Sequence, residues 1–115
     1  MTGDCRKRLL AAVATGNVPG DEDLKCYGIY LRKCSLPSYV HAFVYLSSRC
    51  KCYIVVNKLL STSARQKAYL HELNHVLVDM PKKSYIVGIN DYHSEDELVA
   101  DTFSNYFFKI ANICN

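Results

Sequence analysis

The sequence predicts a single small α+β domain, and three observations lead to that class. Short segments rich in β-branched and aromatic residues lie in the middle of the chain, at residues 39–46 and 52–57. Segments with apolar residues at helical spacing flank them on both sides. The chain has 115 residues, of which 50% are hydrophobic and 22% charged, and this suits one globular domain with its own core. We therefore expect one domain over residues 1–115, in which a small sheet packs against helices.

The first part of the chain predicts two helices and a short strand. Residues 4–15 have the composition of a short amphipathic helix, and the glycines and proline of residues 16–20 predict a turn. Residues 21–23 are all acidic and would begin a second short helix, where negative charge interacts favourably with the helix dipole. We expect that helix to end at Gly28 and a strand to follow over residues 29–33.

The middle of the chain predicts two strands of an antiparallel sheet and a long helix. The strands are residues 39–46 and 52–57, joined by a short turn. Residues 61–63 supply candidate N-caps for a helix over about residues 64–78, and Pro81 would end it. In the first of these strands, alternation places four residues on one face: Val40, Ala42, Val44 and Leu46.

The last part of the chain predicts an irregular connection and a second long helix. A short strand is expected near residues 85–89, and Ser94 is the natural N-cap of a helix over about residues 95–113. Four apolar residues recur along that helix at helical spacing: Val99, Phe103, Phe107 and Ile110.

The segment from His71 to His75 reads H-E-x-x-H and points to a metal. Residues four apart lie on the same face of a helix, so the two imidazoles would face a common point, with Glu72 beside them. Such a pair can hold zinc and leave the glutamate free to act on a water. The alternative is a solvated helix face that carries these three residues by coincidence.

A catalytic zinc has three protein ligands, so a third ligand is needed. Glu97 fits best, because it lies on the last helix with Asp101 one turn later on the same face, where a carboxylate can bond a ligand histidine's other ring nitrogen. Glu97 also stands three residues after Ser94, the spacing of a capping box, which is a purely structural role. Other residues remain open as the third ligand: His41, His93 and Glu95, with Asp96 behind them.

Three segments together carry a family resemblance. A strand that ends in Asn57 precedes a helix in which residues 65–75 read R-Q-K-A-Y-L-H-E-L-N-H, and residues 97–103 read E-L-V-A-D-T-F. Upstream, residues 36–42 read L-P-S-Y-V-H-A. This combination resembles the ImmA/IrrE-type metallopeptidases over roughly residues 24–110.

The resemblance implies a gluzincin-like (zincin-like) fold, in which a short, mostly antiparallel sheet packs on the H-E-x-x-H helix and a C-terminal helix carries the third ligand. It implies His71, His75 and Glu97 as ligands of Zn²⁺, Glu72 as general base, and Asp101 as the residue that orients a ligand histidine. Members of the family commonly cleave helix-turn-helix repressors of phages and mobile elements, or act in stress responses. The chain carries no helix-turn-helix of its own, so a separate protein substrate is implied.

A peptidase also needs a donor that stabilises the oxyanion. The candidates are Tyr92 and His93, followed by Tyr85 and His41. The sequence does not choose among them, and most of the nine tyrosines are expected to serve packing alone.

Three other functions remain open. A metal-bound module that grips a repressor or antitoxin without cutting it predicts the same ligands. An iron oxygenase with two histidines and one carboxylate fits less well, because that site needs no glutamate directly after the first histidine. A plain interaction domain would need no metal at all.

Charge, hydropathy and cysteines set the expected compartment and partners. The net charge of +3 comes without a basic stripe interleaved with aromatic residues, so we expect no direct nucleic-acid binding. No apolar run approaches the roughly 18 residues of a membrane span, and the apolar stretch at residues 9–14 is too short for a signal peptide. We therefore expect a cytoplasmic protein whose cysteines are free thiols, although the same residues would suit a disulfide scaffold in a secreted protein. These are Cys5, Cys26, Cys34, Cys50, Cys52 and Cys114.

Overall fold

The described part of the chain contains three helices and five strands, in the order two helices, three strands, one helix and two strands. The computed structural model describes residues 2–47, 51–82, 84–88 and 93–94. The elements are α1 (Thr2–Ala14), α2 (Asp21–Cys26), β1 (Ile29–Cys34), β2 (Val40–Leu46), β3 (Cys52–Asn57), α3 (Thr62–Asp79), β4 (Tyr85–Gly88) and β5 (His93–Ser94). The α+β class is confirmed, and each element predicted over these residues is present, with bounds that shift by a residue or two at most ends. The helix expected over residues 95–113 lies outside the described residues.

The strands form one mixed sheet in the order β1-β3-β2-β4-β5. β2 pairs antiparallel with β3 and with β4, and β4 pairs antiparallel with β5. β1 instead runs parallel to β3, with Ile29 opposite Cys52 and Cys34 opposite Asn57. The sheet is therefore antiparallel on one side of β3 and parallel on the other, which the local sequence patterns did not predict.

The two faces of the sheet bury different apolar clusters, because successive side chains of a strand point to opposite faces. One face packs against α3 and α1, and its cluster includes Ala42, Val44, Ile54, Val56 and Val87 from the sheet with Leu73, Val76, Leu77 and Leu9 from the helices. The opposite face carries a smaller cluster of Leu36, Val40, Phe43, Val55 and Ile86.

Val40 corrects one expectation about β2. Alternation predicts that it shares a face with Ala42 and Val44, yet it lies in the opposite cluster. The pairing of β2 with β4 shifts register between Val40 and Ala42. An irregularity of this kind interrupts the alternation of side chains, so Val40 turns to the other face.

Asn57, the last residue of β3, holds the connection between β1 and β2. Its side chain is buried and its amide donates to the carbonyl oxygens of Leu36 at 3.2 Å, Pro37 at 3.3 Å and Val40 at 2.9 Å. The side-chain oxygen Oδ1 of Asn57 accepts from the backbone amides of Leu36 at 3.3 Å and Leu59 at 3.1 Å. The asparagine thus satisfies backbone groups of the connection and of the first residue of β2.

Helix α3 is fixed at both ends. Ser61 is the N-cap, and its hydroxyl accepts from the amide of Ala64 at 3.1 Å, which confirms the cap predicted within residues 61–63. Met80 ends the helix in the left-handed conformation, with φ of 48°. The guanidinium of Arg65 bonds the carbonyl oxygens of Lys58 and Leu60 at 3.0 and 3.1 Å, which ties the first turn of the helix to the loop after β3.

Helices α1 and α2 are joined by a disulfide between Cys5 and Cys26. The expectation of free thiols is therefore wrong for this pair, because α1 folds back beside α2 and brings together two cysteines that are 21 residues apart. Cys34 and Cys52 are free thiols, and burial raises the pKa of Cys52 to about 12, so its thiol is protonated at neutral pH. Cys50 and Cys114 lie outside the described residues.

None of the helices in the described part of the chain is both long and apolar enough to span a membrane.

Candidate metal centre

The H-E-x-x-H segment lies on α3 at the boundary between the buried and the exposed face of the helix. Glu72 faces the sheet and is 1% exposed, beside Leu73 and one turn before Val76. The side chain of His71 is 54% exposed, and that of His75 is 28% exposed. Both imidazoles therefore lie at the rim of the core, while the carboxylate between them points inward.

Glu72 is held in the core by a tyrosine from the sheet. The hydroxyl of Tyr85, on β4, donates to Oε1 of Glu72 at 2.9 Å. Burial raises the pKa of Tyr85 well above its usual range, and the negative charge of Glu72 raises it further. Tyr85 is therefore a protonated donor at neutral pH. A buried carboxylate needs such a partner, because an unpaired polar group in the core carries a large desolvation cost.

The other carboxylate oxygen of Glu72 faces the first histidine. Nε2 of His71 lies 3.9 Å from Oε2 of Glu72. The ring of His75 meets the ring of Tyr85 edge to face, with centroids 5.2 Å apart. The two histidines, the glutamate and Tyr85 thus form one contiguous cluster between α3 and β4.

Asp79 binds the second histidine and was missed by the sequence reasoning. Its carboxylate pairs with Nδ1 of His75, one turn earlier on the same helix. With Nδ1 paired to this carboxylate, a metal would bind His75 through Nε2, and a carboxylate on the other ring nitrogen is the usual support of a zinc-bound histidine. The signal in the sequence was the spacing of four residues between His75 and Asp79. The family resemblance implies Asp101, rather than Asp79, as the residue that orients a ligand histidine.

The described residues bring together some of the residue types found in zinc sites. Two imidazoles four residues apart, one with its second nitrogen already bonded to a carboxylate, and a buried glutamate between them are the donors that zinc chemistry needs. Within the described ranges, no three histidine, cysteine, aspartate or glutamate residues are grouped closely enough to hold a metal ion. The predicted third ligand Glu97 lies outside those ranges, as do Tyr92, Glu95, Asp96 and Asp101.

Two alternative candidates can be placed. His41, on β2, lies in a surface groove that His71 also lines. It does not complete a three-ligand group with His71 and His75. The sequence left it open as a third ligand, and the structure does not place it in that role. His93 lies in β5, opposite Val87 of β4.

The groove beside His71 has a volume of about 310 Å³. Its wall is one stripe of α3, which consists of Ala64, Lys67, Ala68 and His71. His41 from β2 and Leu60 from the loop before α3 complete it. The groove therefore reaches the motif from the N-terminal side of the helix.

Comparison of the chain with protein-family models, with curated proteins and with solved structures gives no match.

Proposed function

We propose that the chain is a zinc-dependent peptidase of the ImmA/IrrE type that cleaves a helix-turn-helix repressor of a phage or mobile element in the cytoplasm. One observation carries the proposal: the buried carboxylate of Glu72, fixed by Tyr85, lies between two histidines on the same helix. A hydrogen bond that fixes a carboxylate beside a histidine pair gives the fixed position that a general base needs. The family likeness of the motif segments supports the same function.

The residues around Glu72 have distinct parts in the proposed reaction. Zinc, when bound, would lower the pKa of a water toward about 7 and polarise the scissile carbonyl. Glu72 would act as the general base, which takes a proton from the attacking water and delivers it to the departing amine. Tyr85 holds Oε1 of Glu72, and Oε2, which lies 3.9 Å from Nε2 of His71, would carry out the proton transfer.

The remaining members of the site are proposed from the sequence. Glu97 is the third ligand in this proposal, and Asp101 supports one of the ligand histidines. Tyr92 or His93 donates to the oxyanion, because the hydroxyl of Tyr85 already donates to Glu72.

A second candidate function is a metal-dependent module that binds a repressor or antitoxin without cutting it. The burial of Glu72 favours this candidate, because a general base must meet water and the carboxylate is only 1% exposed. The two functions share His71, His75 and zinc and differ in the need for Glu72.

Replacement of Glu72 by glutamine separates the two candidates. Glutamine keeps the shape and can still accept from Tyr85, so we expect zinc content and fold to persist while hydrolysis falls by at least about 10³-fold. Zinc per chain is measured by mass spectrometry, and cleavage of casein and of a proteome-derived peptide library is measured with the zinc-loaded protein. Glu22→Gln, at an exposed position on α2, is the matched control. Equal cleavage by Glu72→Gln would remove the general-base role, and zinc binding without any cleavage by the wild type would favour the binding module.

A further inference from the structure

The groove beside His71 is lined by basic and apolar residues that have no role in the reaction steps proposed above. Four of its six lining residues lie on α3 at positions 64, 67, 68 and 71. This spacing places them along one stripe of the helix, so the groove runs for two turns and ends at the first histidine of the motif. A chain that reaches the metal centre along this stripe would pass over the groove.

The groove is apolar at its base and basic at its rim. Leu60, Ala64 and Ala68 supply the apolar wall, and Lys67, His41 and His71 supply nitrogen atoms. Among the residues that the structure describes, no acidic one lines it. Lys67 is exposed and forms no ion pair within the described part of the chain. An unneutralised lysine over an apolar wall attracts a ligand that has a short apolar stem and a negative end.

The size of the groove limits the ligand further. A volume of about 310 Å³ is at the lower end of small-molecule pockets, which begin near roughly 300 Å³. It accommodates one side chain in extended form. Glutamate and aspartate side chains match it in length and in charge.

We propose that this groove binds an acidic side chain of the substrate, near the bond that is cut, and that Lys67 selects it. The assignment rests on the proposed peptidase function, because it uses the position of the groove beside His71. The proposed substrate is a peptide segment with glutamate or aspartate at one fixed position relative to the scissile bond. Lys67 contacts the carboxylate, and the alanines of α3 contact its stem.

The first test compares cleavage profiles of three zinc-loaded full-length proteins: the wild type, Lys67→Glu and Lys7→Glu. Each is incubated with a proteome-derived peptide library, and cleavage sites are read by mass spectrometry. Since Lys67 is exposed, its charge is partly screened, so we expect an enrichment of acidic residues of roughly fivefold at one position for the wild type. In Lys67→Glu the acidic residues should become depleted there. Lys7, exposed on α1 and outside the groove, carries the same change of net charge and should retain the wild-type profile.

The second test measures binding alone, so that the groove and the peptidase function can fail separately. Zinc-loaded Glu72→Gln protein is immobilised and the same library is passed over it. Retained peptides should be enriched in glutamate and aspartate, and the enrichment should disappear when Lys67→Glu is added to Glu72→Gln. Zinc content is measured for each variant, and it should match that of the parent protein, which shows that the fold is intact.

The outcomes separate the two proposals. Cleavage with the same profile in the wild type and Lys67→Glu overturns the groove assignment and leaves the peptidase. Acid-selective capture that depends on Lys67, without cleavage by the wild type, supports the groove and overturns the peptidase. Neither cleavage nor acid-selective capture overturns both. Two synthetic peptides test whether the bound carboxylate belongs to a side chain or to a C-terminus. One has glutamine and a free C-terminus, and the other has glutamate and an amidated C-terminus. Retention of the first peptide but not of the second overturns the side-chain assignment.

Discussion

At the residue scale, the central feature is the buried carboxylate of Glu72, which accepts a hydrogen bond from a tyrosine of the sheet. Tyr85 was one of several tyrosines and histidines that the sequence left open as oxyanion donors. Its hydroxyl instead donates to Glu72 at 2.9 Å. The sequence could not show this, because β4 and α3 meet only through the long-range packing of the fold.

Replacement of Tyr85 by phenylalanine should therefore destabilise the protein and impair hydrolysis. The change removes the donor to a buried carboxylate, and we expect a loss of about 1–3 kcal/mol in the free energy of unfolding. Urea denaturation measures that loss, with Tyr27→Phe as the control, since Tyr27 is half-buried and lacks a comparable hydrogen bond to a carboxylate in the described residues. A variant as stable as the wild type would show that Glu72 does not depend on Tyr85.

A second residue-scale prediction concerns Asp79. Its carboxylate pairs with Nδ1 of His75, and in the proposed metal centre this pair would orient Nε2 toward zinc. Removal of such a partner typically lowers metal affinity about 10–100-fold, so Asp79→Ala should bind zinc less tightly while it remains folded. Competition with a chromophoric chelator measures the affinity, and Asp21→Ala, at an exposed position on α2, is the control. Unchanged zinc affinity in Asp79→Ala would mean that the pair with His75 has no part in metal binding.

At the element scale, most helices and strands were predictable because their signals are local. The bounds of β3 follow from the run of β-branched residues after Cys52, and the start of α3 follows from the hydroxyl residues at 61–63. The parallel pairing of β1 with β3 was not predictable, since periodicity assigns a strand but not its neighbour. The disulfide was not predictable either, because six cysteines allow 15 pairings.

Asn57 gives the element-scale prediction. Its side chain bonds three backbone carbonyl oxygens of the connection between β1 and β2, so Asn57→Ala leaves buried acceptors without a donor. We expect a loss of about 2–3 kcal/mol in the free energy of unfolding, with zinc content unchanged below the unfolding transition. Urea denaturation and metal analysis test this, and Asn17→Ala, at an exposed turn, is the control. Loss of zinc from a folded Asn57→Ala protein would give the residue a role at the metal centre instead.

At the scale of the whole molecule, the sheet and α3 together create the candidate site. β4 supplies Tyr85, β2 supplies His41, the loop before α3 supplies Leu60, and α3 supplies the other described residues of the cluster and groove. The motif itself was readable from the sequence, because its chemistry depends on a spacing of four residues within one helix. The contacts around it were not readable in the same way, since they depend on which strand lies beneath the helix. Asp79 is the exception, as its spacing from His75 is local and the sequence alone could have shown it.

Zinc per chain is the measurement that tests the central claim most directly. Purified wild type, His75→Ala and Glu97→Ala are incubated with zinc, desalted and analysed by native mass spectrometry, with circular dichroism to verify that each is folded. We predict one zinc in the wild type and its loss in both variants, because each variant removes one of the three proposed protein ligands. A folded wild type that retains no zinc would contradict the metal centre and the peptidase function with it.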